Sequence, residues 1–138
     1  MGDRGPRSGR ELPRFAGGTS FLRLPLLAEG DAPDVVIFGA PFDGATTYRP
    51  GARFGPRAVR IASDQAHAYH SELEVDPFAR LCVVDAGDVP MAPHDIVAAM
   101  NQLQTAAQPH FEAGRAVLTV GGDHSVSLPL LRAAAAVH

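Results

Sequence analysis

The sequence predicts an α/β fold built on a parallel sheet with helices on both faces. Three observations carry that expectation. Apolar runs of strand length recur from residue 33 onward. Runs with helical periodicity lie between them. The strand-length runs are apolar at successive positions rather than alternating, as in strands covered above and below.

The elements follow in order. Val35-Val36-Ile37-Phe38-Gly39 reads as the first strand, buried on both faces. Gly55 precedes a short helix expected from Pro56 to about Gln65. Leu81-Cys82-Val83-Val84-Asp85 is the second strand, with Cys82, the sole cysteine, read as a buried strand residue. Residues 93–113 read as a helix, because Ile96, Met100, Leu103, Ala107 and Phe111 recur at spacings of three and four. Pro93 suits its first turn and Gly114 its C-terminal stop. Pro109 predicts a kink, or an end near Gln108. Ala116-Val117-Leu118-Thr119-Val120 is the third strand. The last helix is expected to start near Ser125 or Ser127, either of which can cap it, with Pro129 in a tolerated early position. About three strands are fewer than the five or six of a doubly wound sheet, and the last helix stops where a fourth strand would begin. An incomplete, N-terminal portion of a larger domain is therefore expected.

The 138 residues suffice for one domain. With 46% apolar and 20% charged residues, the chain has the balance of a globular protein. A net charge of −3 leaves no basic field for nucleic acid or an anionic membrane. No apolar stretch approaches the ~20 residues of a membrane span, and no secretory signal opens the chain, so a cytoplasmic location is expected. Residues 1–32 divide into an Arg- and Gly-rich mobile tail and a docking segment, Phe21-Leu22-Arg23-Leu24-Pro25-Leu26-Leu27, apolar enough to pack on the domain or on a neighbouring subunit. Residues 33–138 form the α/β domain.

Several motifs could carry chemistry. Gly39-Ala40-Pro41-Phe42-Asp43-Gly44-Ala45-Thr46 has the spacing of a phosphate loop, but Ala45 stands where that loop needs Lys and Pro41 removes a donor. Arg49-Pro50-Gly51-Ala52-Arg53-Phe54-Gly55-Pro56-Arg57 has a constrained path, and its Arg residues either grip an anion or stay solvated. Asp85 ends the second strand and Asp88 follows the next glycine, at the edge where ligand crevices of parallel sheets lie; a phosphoacceptor pair, a metal site and plain turn residues are the readings. His67 and His70 share a face only if the preceding helix continues; surface residues are the plainer reading. Gly121-Gly122-Asp123-His124-Ser125 is the sharpest feature, because two glycines after a strand bring Asp123 and His124 to the sheet edge. A neutral imidazole there can ligate a divalent metal; a turn with a Ser cap is the alternative.

Taken in order, Gly39–Asp43, Arg49–Arg57, Asp85-Ala86-Gly87-Asp88 and Gly121–Ser125 closely resemble the N-terminal part of the arginase/agmatinase (ureohydrolase) family, nearest its agmatinase and guanidinobutyrase branch. The resemblance implies a three-layer α/β/α domain around an eight-stranded parallel sheet. It implies hydrolysis of a small cationic guanidino substrate to urea and an amine, and trimers or hexamers of the intact protein. It also implies two Mn²⁺ ions, which activate a bridging water against a resonance-stabilised guanidinium. On this resemblance His124 is a metal ligand, with Asp123 beside it supporting the ligand and Gly121, Gly122 and Ser125 shaping the loop. Arg49, Gly51, Arg53 and Gly55 belong to a substrate-access or subunit-interface loop. The family uses two His and four Asp, of which only His124 falls within this sequence. This chain alone is therefore expected to bind Mn²⁺ weakly and to be inactive. Two other readings stay open: a non-catalytic binding or scaffold subunit, and a nucleotide- or phosphate-binding α/β domain using Arg49, Arg53 and Arg57.

Overall fold

A computed structural model describes residues 5–137. The first four residues of the expected tail, and His138, lie outside the described residues. Three parallel strands form one sheet in the order β2-β1-β3: β1 (Val35–Ala40), β2 (Val83–Asp88) and β3 (Ala116–Gly121). Three helices accompany them: α1 (Gly55–Ser63), α2 (Ile96–Glu112) and α3 (Ser127–Ala135). The α/β parallel-sheet expectation holds.

The two faces of β1 bury different layers, as the two-residue side-chain period requires. Val36, Phe38 and Ala40 join Phe42, Val84, Leu103, Ala107, Val126 and Ala133 in one cluster beneath α2 and α3. Ile37 joins Val83, Phe21 and Leu24 on the other side. There the docking segment folds onto its own domain. Leu26 bridges Asp85 in parallel fashion at the β2 edge. The Leu27 N–H donates to Asp85 O at 2.9 Å and the Asp85 N–H to Pro25 O at 3.0 Å. Residues 20–27 thus form a strap that guards the β2 edge.

Several boundaries depart from the sequence reading. β2 starts at Val83, not Leu81. Cys82 is half-buried ahead of it, its N–H held by Asp34 Oδ2 at 2.7 Å. α2 starts at Ile96 rather than Pro93, because the Asp95 side chain accepts the Ala98 N–H and caps it. Pro109 does not end α2, which runs on to Glu112. Thr105 and Pro109 are exposed, so the carbonyl that loses its donor lies on the water side. The stop comes at Gly114, with φ +69. Its N–H donates to Phe111 O at 2.9 Å and the Arg115 N–H to His110 O at 3.0 Å, the paired bonds of a Schellman end. α3 is not capped by Ser125 or Ser127; Asp123 instead caps the 3₁₀ turn His124–Val126 that leads into it.

β3 was expected to be buried on both faces, but it is an edge strand here, with Leu118 54% exposed. Leu128 and Leu131 of α3, next in the chain, are also exposed.

Candidate functional site

The register aligns Ala40 with Gly121 and Gly39 with Asp88, so the C-terminal ends of all three strands share one edge. Two loops interlock there. After β3, Gly122 takes φ +50, and a Cβ on it would lie 2.5 Å from both Ala40 O and Phe42 O. Only glycine fits so close a crossing in that conformation. The Asp123 N–H then donates to Phe42 O at 2.8 Å. The Asp123 side chain ties both loops. Its Oδ1 accepts the Ser125 N–H at 3.0 Å and the Ser125 hydroxyl, and its Oδ2 accepts the Ala45 N–H at 2.9 Å. His124 follows, exposed at the sheet edge, while Val126 anchors its turn in the core.

The loop after β1 is held by Asp43, which is 3% exposed. Its carboxylate accepts the Gly51 N–H at 2.6 Å and Arg53 Nε at 2.5 Å. The Arg53 hydrogen bond, followed by that of Gly51, lowers the Asp43 pKa to about 2. Gly51 has φ +128, which lets the chain present that N–H. Gly55 completes the junction, since a Cβ there would lie 2.7 Å from Gly121 O.

A second ion pair sits on the strap side. Arg60 reaches Asp85 through Nε at 2.9 Å and a second nitrogen at 3.0 Å, and Asp88 at 2.5 Å. Its guanidinium carbon lies 4.1 Å from the centre of the Phe21 ring. Asp85 also accepts the Phe21 and Gly87 N–H groups, each at 2.8 Å. Burial alone would raise the Asp85 pKa; the Arg60, Phe21 and Gly87 hydrogen bonds outweigh it and leave the pKa lowered.

These contacts sort the residues singled out by sequence. Gly121, Gly122, Asp123, His124 and Ser125 come together at the sheet edge. The Asp123 carboxylate accepts from Ser125 and Ala45, and so ties the turn that begins with His124 to the β1 loop. In the Arg49–Arg57 loop, Gly51, Arg53 and Gly55 serve internal structure, and Arg49 lies exposed over Tyr48. The anion grip imagined for Arg49, Arg53 and Arg57 loses Arg53 to Asp43. Asp85 and Asp88 face Arg60 rather than a ligand crevice. His67 and His70 lie beyond the end of α1, so no shared helical face forms. The role of Arg60 escaped the sequence reading. The available signal was an Asp directly after Val83-Val84, since a carboxylate inside a buried strand requires a cationic partner.

Among the described residues, no group of three or more His, Cys, Asp or Glu side chains is placed to hold a metal ion. The described residues do not by themselves fit a two-metal centre. No helix among them is long and apolar enough to cross a membrane.

Comparison with known proteins places this geometry. The Arginase family matches residues 33–138. The chain is 41% identical over 126 residues to proclavaminate amidinohydrolase of Streptomyces clavuligerus, covering 91% of this chain and 40% of that protein. The structure of that amidinohydrolase superposes with a TM-score of 0.83 at 39% identity, over 91% of this chain and 42% of that one. The chain is 45% identical over 118 residues to agmatinase of Shigella sonnei, covering 82% of this chain and 38% of that protein. A Trypanosoma cruzi formiminoglutamase solved with a pair of Mn²⁺ ions superposes with a TM-score of 0.64 at 31% identity, over 72% of this chain and 34% of that one. The chain therefore spans about two-fifths of the length of its curated relatives. A family match across three-quarters of the sequence, carried on the same parallel-sheet frame, makes this chain a member of the arginase family.

Proposed function

We propose that this chain is the N-terminal part of a Mn²⁺-dependent guanidino hydrolase that releases urea and an amine, with agmatine or a short guanidino acid as substrate. In this reading His124 is one metal ligand, and the remaining ligands come from the family's later segments. The observation that carries it is the His124 loop. Glycines crossing under the β1 loop and an Asp123 staple present one exposed imidazole at the sheet edge. The names of the relatives, an amidinohydrolase and an agmatinase, supply the substrate class. A cytoplasmic oligomer belongs to the same proposal. The proposal also assigns Arg49, exposed beside Tyr48, to contact with substrate or a neighbouring subunit.

The test is complementation. The chain is joined to the part of the Streptomyces amidinohydrolase that follows the matched region, and urea release from agmatine and guanidinobutyrate is measured with Mn²⁺. The reading expects Mn²⁺-dependent urea release that falls at least a hundredfold with His124→Ala. A folded hybrid whose activity ignores His124→Ala would overturn it.

A further inference from the structure

We infer that Asp43 is a positioning residue for the loop that carries His124. The inference rests on the proposed role of His124 only for what that side chain does; how it is held is read from the geometry.

Asp43 does not touch the His124 loop. Its buried carboxylate instead folds residues 43–53 back on themselves, accepting from Gly51 and from the backbone and side chain of Arg53. Its own carbonyl accepts the Thr46 N–H at 3.2 Å, closing a turn around Ala45. That turn points the Ala45 N–H at Asp123 Oδ2. The other Asp123 oxygen caps the turn in which His124 is the first residue. The chain of contacts therefore runs from Arg53 through Asp43 and Ala45 to Asp123 and ends at the Ser125 N–H, directly after His124. Its rigidity comes from burial at one end, where Asp43 is 3% exposed, and from a glycine crossing with no slack at the other. A carboxylate suits this task because it accepts several N–H donors at once: Oδ1 takes the Arg53 guanidinium, and Oδ2 takes the Gly51 and Arg53 backbone N–H groups.

The experiment uses the full ¹⁵N-labelled chain and reads two signals: amide exchange at Ser125 and the ring ¹⁵N shifts of His124. Asp43→Asn removes the charge at the far end of the relay. Ala45→Pro removes the relay's donor at an exposed position while leaving Asp43 intact. Loss of one net hydrogen bond corresponds to roughly a fivefold change in local opening. Each variant is therefore expected to speed Ser125 exchange about fivefold and to shift the His124 ring signals, and the double variant to add little to either. Tyr48→Phe, which alters the same loop at an exposed position outside the relay, is expected to leave both signals unchanged. Asp43→Asn that changes Gly51 and Arg53 but not Ser125 or His124 would overturn the inference, as would full additivity of the two variants. If Asp43→Asn unfolds the chain, Ala45→Pro decides alone: unchanged His124 ring signals refute the relay. A failure of His124 to support metal-dependent urea release would leave these signals as expected, so the two readings fail separately.

Discussion

Removing the Asp85 carboxylate tests how strap, helix and sheet are held together. Asp85 is 1% exposed and accepts four hydrogen bonds, two from Arg60 and one each from the Phe21 and Gly87 N–H groups. Asp85→Ala leaves the Arg60 guanidinium, itself 7% exposed, with Asp88 alone. Breaking a buried pair from one side costs about 3–5 kcal/mol, because a charge stays desolvated. The orphaned Phe21 and Gly87 donors push the value to the upper end of that range. Against a domain stability of about 5–15 kcal/mol, the variant sits near the limit of folding. Removing both charges with Arg60→Met and Asp85→Leu is expected to recover part of the loss, since the attraction within a buried pair is largely offset by its desolvation. Urea denaturation of the full chain is the assay. With a slope of about 1–3 kcal/mol per molar, the single variant should lower the midpoint by about 2 M. A single-variant loss below about 1 kcal/mol, or a double variant as damaging as the sum of its parts, would refute the reasoning.

Three further outcomes follow from the same geometry. Asp43 has its folded pKa lowered to about 2, below its unfolded value of about 3.9, so its contribution is complete above pH 4 and fades as pH falls toward 2; an acid titration of stability should lose that segment in Asp43→Asn, and an unchanged profile counts against it. Gly122→Ala places a Cβ 2.5 Å from two carbonyl oxygens at φ +50 and should cost more than about 2 kcal/mol in chemical denaturation; a cost under about 0.5 kcal/mol would show that the crossing is loose. The β3 edge, with Leu118 54% exposed, should drive self-association of the isolated chain, and Leu118→Lys should reduce it in light scattering; a monodisperse parent chain would remove the argument.

How much of this was legible depended on whether the cause was local. β1 and β3 were legible to within one residue at either end, because an uninterrupted run such as Val35–Phe38 has few other uses. The Gly114 stop was legible because a left-handed residue after a helix is a local demand. Pro109 misled because its cost depends on which side of α2 faces water, which is a tertiary fact. At the site, the two glycines and the exposed His124 were readable from spacing. The work of Asp123 was not, since its second partner, Ala45, lies 78 residues away. Arg60 was missed for the same reason: nothing local to α1 marks it, and only the folded sheet brings Asp85 beneath it.

The strap has a consequence for synthesis. It emerges from the ribosome before the helix and strand it packs against. Phe21 waits for Asp85, 64 residues later, and Leu22 for Ser63, 41 residues later. At about 5–20 residues per second, Phe21 and Leu24 spend roughly 3–13 s without the surface that buries them. A segment made ahead of the strand it covers thus docks only once that strand exists, and its closure reports that β2 has formed. A protease site placed within residues 20–27 would be cut in nascent chains halted before Asp85 and spared in those released after it, a clock for β2 formation written into the strap.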